Sequence, residues 1–226
     1  KGKSPLLGIA GDGQSFYFCI NVKNRTIYAN LEIQRAERPA YSCTGHFLTE
    51  GIPEDIHARH RTGIGHIYNY FKSKDALFCA IVRPVVDALE RMLDEHHGRA
   101  GADILEMRSE DYFRNVVREY VDLLTKHNTL LKLLFFRSQG SSLENYKETF
   151  ADRSTQLVKQ YFRTMKERHP EVNIEISGFY IHLHTVWMFA LLEEIVRQRL
   201  KPKDIEPIIT EYMTGEIFGW RKLMKI

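Results

Sequence analysis

One stretch constrains the fold more than any other: from Phe179 to Leu192 the chain is apolar apart from two histidines and a threonine. A helix apolar on all sides cannot lie with one face in water and must be covered from several directions. Its longest unbroken apolar run, Val186 to Leu192, falls far short of the about 20 residues that a membrane span needs. Cover therefore comes either from its own domain alone, as the central helix of a monomeric bundle, or from its own domain and a partner chain, the reading the pattern favours. With the helix that follows, it can build an intersubunit four-helix bundle, so a homodimer through residues 173–224 is expected, with no membrane.

From Ser73 onward apolar residues recur at helical spacing. Ser73 caps a helix to about residue 95, with Asp75 in its first turn and Leu77, Ala80, Ile81, Val85, Ala88 and Met92 on one face. Pro84 inside it removes a backbone donor and should kink it. Gly98 and Gly101 end the pattern. A second helix is predicted from Ser109, aligning Phe113, Val116, Val117, Tyr120 and Leu124. His127 and Asn128 interrupt it before a short apolar helix over 130–136. Gly140, Ser141 and Ser142 form a loop, with Ser142 capping a helix to about residue 168, which His169 and Pro170 stop. The apolar stretch lies in a helix over 173–200. Pro202 and Asp204 open a last helix bearing Ile205, Ile208, Ile209, Tyr212, Ile217 and Trp220.

The N-terminal third reads differently. Residues 16–22 and 25–33 look like short strands around Lys23 and Asn24, and residues 1–50 as a whole are left unassigned. Gly8, Gly11 and Gly13 make a loop without the spacing of a dinucleotide fingerprint. No basic segment followed by an apolar one opens the given residues, so no secretory leader is expected. Three unclustered cysteines (Cys19, Cys43, Cys79) fit reduced cytoplasmic thiols better than a disulfide framework or a zinc site. The net charge is +3, and it sits entirely at this end: residues 1–72 hold nine Lys/Arg against six Asp/Glu, and the remainder holds 23 of each. Excess positive charge at one end suits an encounter with phosphates.

Residues 51–75 carry the strongest local pattern. Pro53, Glu54, Asp55 and Ile56 read as a helix start, with Pro in the first turn and acids near the N-terminus. Thr62, Gly63, Ile64 and Gly65 form a turn into a second short helix, where Ile64, Ile67 and Phe71 share one face. Two short helices joined by a glycine-containing turn, with polar and aromatic groups outward, suit a recognition helix in a DNA major groove. Gly65 lets the backbone approach phosphates. Tyr68 and Tyr70 offer hydroxyls to phosphate oxygens, and His66 and Asn69 can reach base edges.

The run Gly65-His66-Ile67-Tyr68-Asn69-Tyr70-Phe71-Lys72-Ser73-Lys74-Asp75-Ala76-Leu77-Phe78 resembles the TetR family of transcriptional regulators. The family consensus there is Gly-Thr-Leu-Tyr-x-His-Phe-x-Ser-Lys-Glu-x-Leu. Arg61 stands where that family usually has its turn glycine, and Pro39 interrupts what would be its first helix. The resemblance implies an all-α protein: an N-terminal DNA-binding domain over 1–72, with its helix-turn-helix at about 53–71, and a ligand-binding and dimerisation bundle over 73–226. It implies DNA contacts from Thr62, Gly63, Ile64, Gly65, His66, Tyr68, Asn69 and Tyr70, and a phosphate contact from Lys74. It further implies a cytoplasmic repressor that binds a palindromic double-stranded operator as a homodimer and is released by a small-molecule effector.

In the bundle, Phe113, Tyr120, Phe136, Tyr161, His184, Trp187 and Met188 are the candidate pocket lining, with His184 orienting a hydrophobic or aromatic effector. His57, His60, His96, His97, His182 and His184 form no recognisable metal motif with carboxylates or cysteines. No nucleophile elbow or phosphate-cradling loop is present either, so neither enzyme activity nor a cofactor is expected. The competing reading is a helical small-molecule-binding or interaction module without DNA binding.

Overall fold

The computed structural model describes residues 6–11, 15–22, 25–32, 71–98 and 101–226. Packing divides the chain into two units, Lys1–Arg83 with Ser138–Glu144, and Pro84–Arg137 with Asn145–Ile226. The sequence reading placed the division at residue 72; in the structure it falls inside a helix, at Pro84.

The first unit holds an antiparallel meander of β1 (Leu6–Gly11), β2 (Ser15–Val22) and β3 (Arg25–Glu32), in the order β1-β2-β3. Its register sets Phe18 opposite Ile9 on one side and Ala29 on the other, and Val22 opposite Arg25. The two strands read around Lys23 and Asn24 are therefore present. They stand outside the expected all-helical class, which does describe residues 71–226. The helix-turn-helix at 53–71 lies outside the described residues.

Helix α1 (Lys74–His97) starts where the sequence placed it, because the Ser73 hydroxyl accepts from the Ala76 N–H at 3.0 Å. Pro84 lies inside α1 without ending it. The first unit also contains the loop of residues 138–144, and here the expected Ser142 cap is corrected. Ser142 turns away from the helix after it and donates both its N–H (2.8 Å) and its hydroxyl (3.0 Å) to Asp75 Oδ1. The following helix begins instead after Asn145, which makes no side-chain cap. The Ser142 N–H holds the Asp75 carboxyl below its ordinary pKa.

The described elements of the second unit are all helices. After α1, Asp103 and Glu106 form a reciprocal capping box that nucleates a short 3-10 helix (Ile104–Arg108), a segment the sequence reading had left as a break. Its Ile104 is fully buried. Helix α2 (Glu110–Lys126) starts where expected, and Ser109 caps it, accepting from the Tyr112 N–H at 3.1 Å. Next come α3 (Asn128–Phe136) and α4 (Tyr146–Arg168).

Helix α5 (Gly178–Gln198) starts about one turn later than the expected residue 173. Asn173 is committed elsewhere: its backbone N–H donates to Met224 O (2.9 Å) and its side-chain amide to Leu223 O (2.8 Å). Residues 173–177 therefore run non-helically to Ser177, whose hydroxyl caps Tyr180 N–H at 3.1 Å. Arg199, in the left-handed region at φ 54°, closes α5, and α6 (Pro202–Met224) opens with Pro at its first turn.

The core follows the helical faces read from the sequence. Phe189 of α5 receives edge-to-face contacts from Phe135 (5.9 Å) and Phe150 (5.3 Å). Farther along, Ile104, Phe162, Met165, Ile181, Trp220 and Met224 form one buried cluster. Between these packed regions the bundle leaves a cavity.

Candidate ligand-binding site

Every helix of the second unit except α3 contributes one face to this cavity of about 150 Å³. Helix α2 supplies Tyr112, Val116 and Tyr120, four residues apart on one stripe, and α6 supplies Tyr212, Glu216 and Trp220 in the same rhythm. The last turn of α1 brings His96 and His97, α4 brings Phe150, Val158 and Tyr161, and α5 brings His184, Thr185 and Met188. The wall is mostly carbon, with a few polar groups set into it.

Most of those polar groups are satisfied. Tyr161 donates its hydroxyl to Ala102 O at 2.7 Å, and Thr185 donates to Ser154 Oγ at 3.2 Å. His96 Nε2 lies 2.6 Å from Glu119 Oε2, and the Tyr112 hydroxyl sits 3.5 Å from its other nitrogen. Burial, reinforced by the charges of Glu119 and Glu106, pushes the Tyr112 phenol up to about 12.

His184 Nδ1 meets Glu216 Oε2 at 2.6 Å, while the Trp220 indole N–H approaches the same nitrogen at 3.3 Å. The shorter, charge-assisted contact to Glu216 and the longer one to Trp220 together fix the orientation of His184. The Trp220 ring then stands edge-on to the imidazole at 5.1 Å.

Two lining groups are left over. His97 Nδ1 and the Tyr212 hydroxyl are closed off from solvent without a hydrogen-bond partner. His97 as a whole residue keeps some exposed surface, but its Nδ1 does not. Burial, helped by neighbouring His96 and His184, holds the His97 imidazole down to about 3, so it is uncharged at neutral pH. Its ring stands edge-on to Tyr161 at 5.3 Å. Burial likewise raises the phenols of Tyr120 and Tyr212, keeping both protonated. A buried polar group without a partner costs on the order of 1–3 kcal/mol. A fold that carries two of them around one cavity has polar capacity that its own chain does not use.

Of the residues named from sequence, Tyr120, Tyr161, His184 and Met188 line the cavity together. Phe113, Phe136 and Trp187 are not among its lining residues, each for a physical reason. Phe113 follows Tyr112, so it lies about 100° around α2 from the lining stripe. Phe136 packs edge-on to Phe135 and beneath the Arg197 guanidinium, 5.4 Å from the ring centroid. Trp187 is 43 % exposed on the outer side of α5. His97, Tyr112, Tyr212 and Glu216 also line the cavity and were missed; the four-residue rhythm around Tyr120 and Trp220 points to the last three, whereas no sequence signal marks His97.

Lys74 is exposed at the first position of α1, directly after the Ser73 cap. The other expected DNA-contact residues, Thr62, Gly63, Ile64, Gly65, His66, Tyr68, Asn69 and Tyr70, lie outside the described residues. On the bundle surface, Glu148, Asp152 and His182 place ligand atoms within 4.8 Å of one another. Both carboxylates are exposed, and water competes with any cation there. Helix α5 is the one described helix long and apolar enough to cross a membrane by length and composition. No protein-family model matches the chain, and no curated protein or solved structure matches it either.

Proposed function

We propose that the chain is a ligand-responsive transcriptional regulator of the TetR type, a repressor that binds a palindromic operator as a homodimer and is released by a small hydrophobic effector. The observation that carries the ligand half is the cavity inside the second unit, apolar apart from a few polar groups, two of them unpartnered. The DNA half is supported by the run at 65–78 and by the Ser73 cap on the helix that follows it. In this reading two recognition helices enter successive major grooves about 34–36 Å apart. Ligand binding favours a dimer state with the wrong spacing, and α1, which runs from one unit into the other, carries the change.

The test is selection of random duplex DNA on the full-length chain, followed by titration of the enriched site at several salt concentrations. An enriched inverted repeat with salt-dependent affinity is expected. Tyr68→Ala and Lys74→Ala should each weaken it by about 1–3 kcal/mol. If no sequence is enriched and duplex DNA is not retained at low salt, the regulator reading fails, and a helical small-molecule-binding module is what remains.

A further inference from the structure

We propose that the cavity takes a neutral molecule of about one aromatic ring, bearing a single polar head that both donates and accepts a hydrogen bond: the phenol class. This rests on reading the cavity as a ligand site and narrows it.

Size sets the first limit. A volume of about 150 Å³ accommodates a single ring with few substituents, and a dry apolar cavity of comparable size binds benzene. The wall offers edges and faces for such a ring from Phe150, Tyr161 and Trp220.

The head group follows from the unserved polar atoms. Tyr161 and Thr185 spend their hydroxyl protons within the protein, and His184 is held by Glu216. Among the described residues, His97 Nδ1 and the Tyr212 hydroxyl are the buried side-chain atoms of the lining without partners. An imidazole nitrogen donates or accepts according to its tautomer, and a phenolic oxygen does both. A ligand hydroxyl that reaches either group can donate to it or accept from it, whereas a hydrocarbon can do neither.

Charge sets the last limit. Among the described residues no lysine or arginine lines the cavity, and its two carboxylates, Asp103 and Glu216, are already paired with His169 and His184. An anion would be buried without a counter-charge, and a cation would have to displace a histidine from its carboxylate.

Titration calorimetry of the full chain with phenol, toluene and benzoate tests this. A purely apolar cavity prefers toluene, because the phenol hydroxyl would go unserved. Phenol is expected to bind about tenfold tighter than toluene, with benzoate not binding. Tyr212→Phe should lower phenol affinity about tenfold while leaving toluene within about twofold. If circular dichroism shows that this variant does not fold, His97→Phe gives the same comparison. Toluene binding as tightly as phenol, or benzoate matching it, overturns the ligand class while leaving the cavity a binding site. No binding by any of the three overturns the cavity reading with it.

Discussion

Lowering the pH from 7 to 5 should weaken the second unit through one side chain, His97. In the unfolded chain its imidazole takes a proton near its ordinary pKa of 6.5; in the folded chain burial delays that to about 3. Between those values the unfolded state binds more protons, so stability rises with pH and is lost on acidification from about 6.5 downward. Each pH unit below 6.5 removes about 1.4 kcal/mol, and the step from pH 7 to 5 therefore removes about 2 kcal/mol. His97 keeps part of its surface near water, which lowers the expected loss to about 1–2 kcal/mol. His96 and His184 lie beside it, each paired with a carboxylate, so the comparison must be with a variant that removes His97 alone. Urea unfolding can be followed by tryptophan fluorescence, since Trp187 and Trp220 both belong to this unit. The wild-type chain should lose about 1–2 kcal/mol more than His97→Phe over this interval. Equal losses in the two chains would show that His97 is not held neutral, and the argument from its buried nitrogen would fall.

Tyr212→Phe removes an unserved buried hydroxyl and should leave the ligand-free chain as stable or more stable by up to about 1 kcal/mol, measured by the same unfolding. Ser109→Ala strips the cap from Tyr112 N–H and should cost about 1 kcal/mol. Phe218 is 69 % exposed on α6, so Phe218→Asp should leave the fold intact and convert the proposed dimer to monomers in sedimentation. A variant that stays dimeric places the interface elsewhere.

Helix positions were legible because burial imprints a period on the sequence. Ser73 was read as a cap and is one, and the helix expected from Ser109 is capped by it, since each serine has a backbone N–H three residues on that no helical carbonyl takes. Ser142 looked the same in sequence, but Asp75, 67 residues away, captures both of its donors. Asn173 likewise serves the far end of α6, and no local propensity reveals that commitment. In the cavity, Tyr120 and His184 could be named because aromatic and imidazole groups stand out on apolar faces. His97 could not, nor could the unserved state of the Tyr212 hydroxyl, because the absence of a partner is a property of the packed bundle. Phe113 was one residue off for a simple reason: both Tyr112 and Phe113 are aromatic, and α2 turns about 100° between them.

The composition of α5, which meets the length and hydropathy of a membrane span, follows from two separate demands. Its inner face, with Ile181, Phe189, Leu192 and Ile195, is buried in its own bundle. Its outer face bears Phe179 (75 % exposed), Val186 and Trp187, and α6 adds Phe218 and Leu223. Histidines on α5 interrupt the apolar surface, and both meet carboxylates of neighbouring helices: His182 reaches Asp152 at 3.4 Å and His184 reaches Glu216 at 2.6 Å. Asp152 and Glu148 beside His182 are exposed, and in hydrocarbon those charges would go unsolvated. On α5 the outer apolar groups Phe179, Val186 and Trp187 stand at i, i+7 and i+8, on one face of the helix. On α6, Gly215 and Gly219 sit in open space where an added Cβ would touch nothing within 4 Å, so another helix could come close beside Phe218. A core on one side and the proposed partner on the other account for a helix apolar on both.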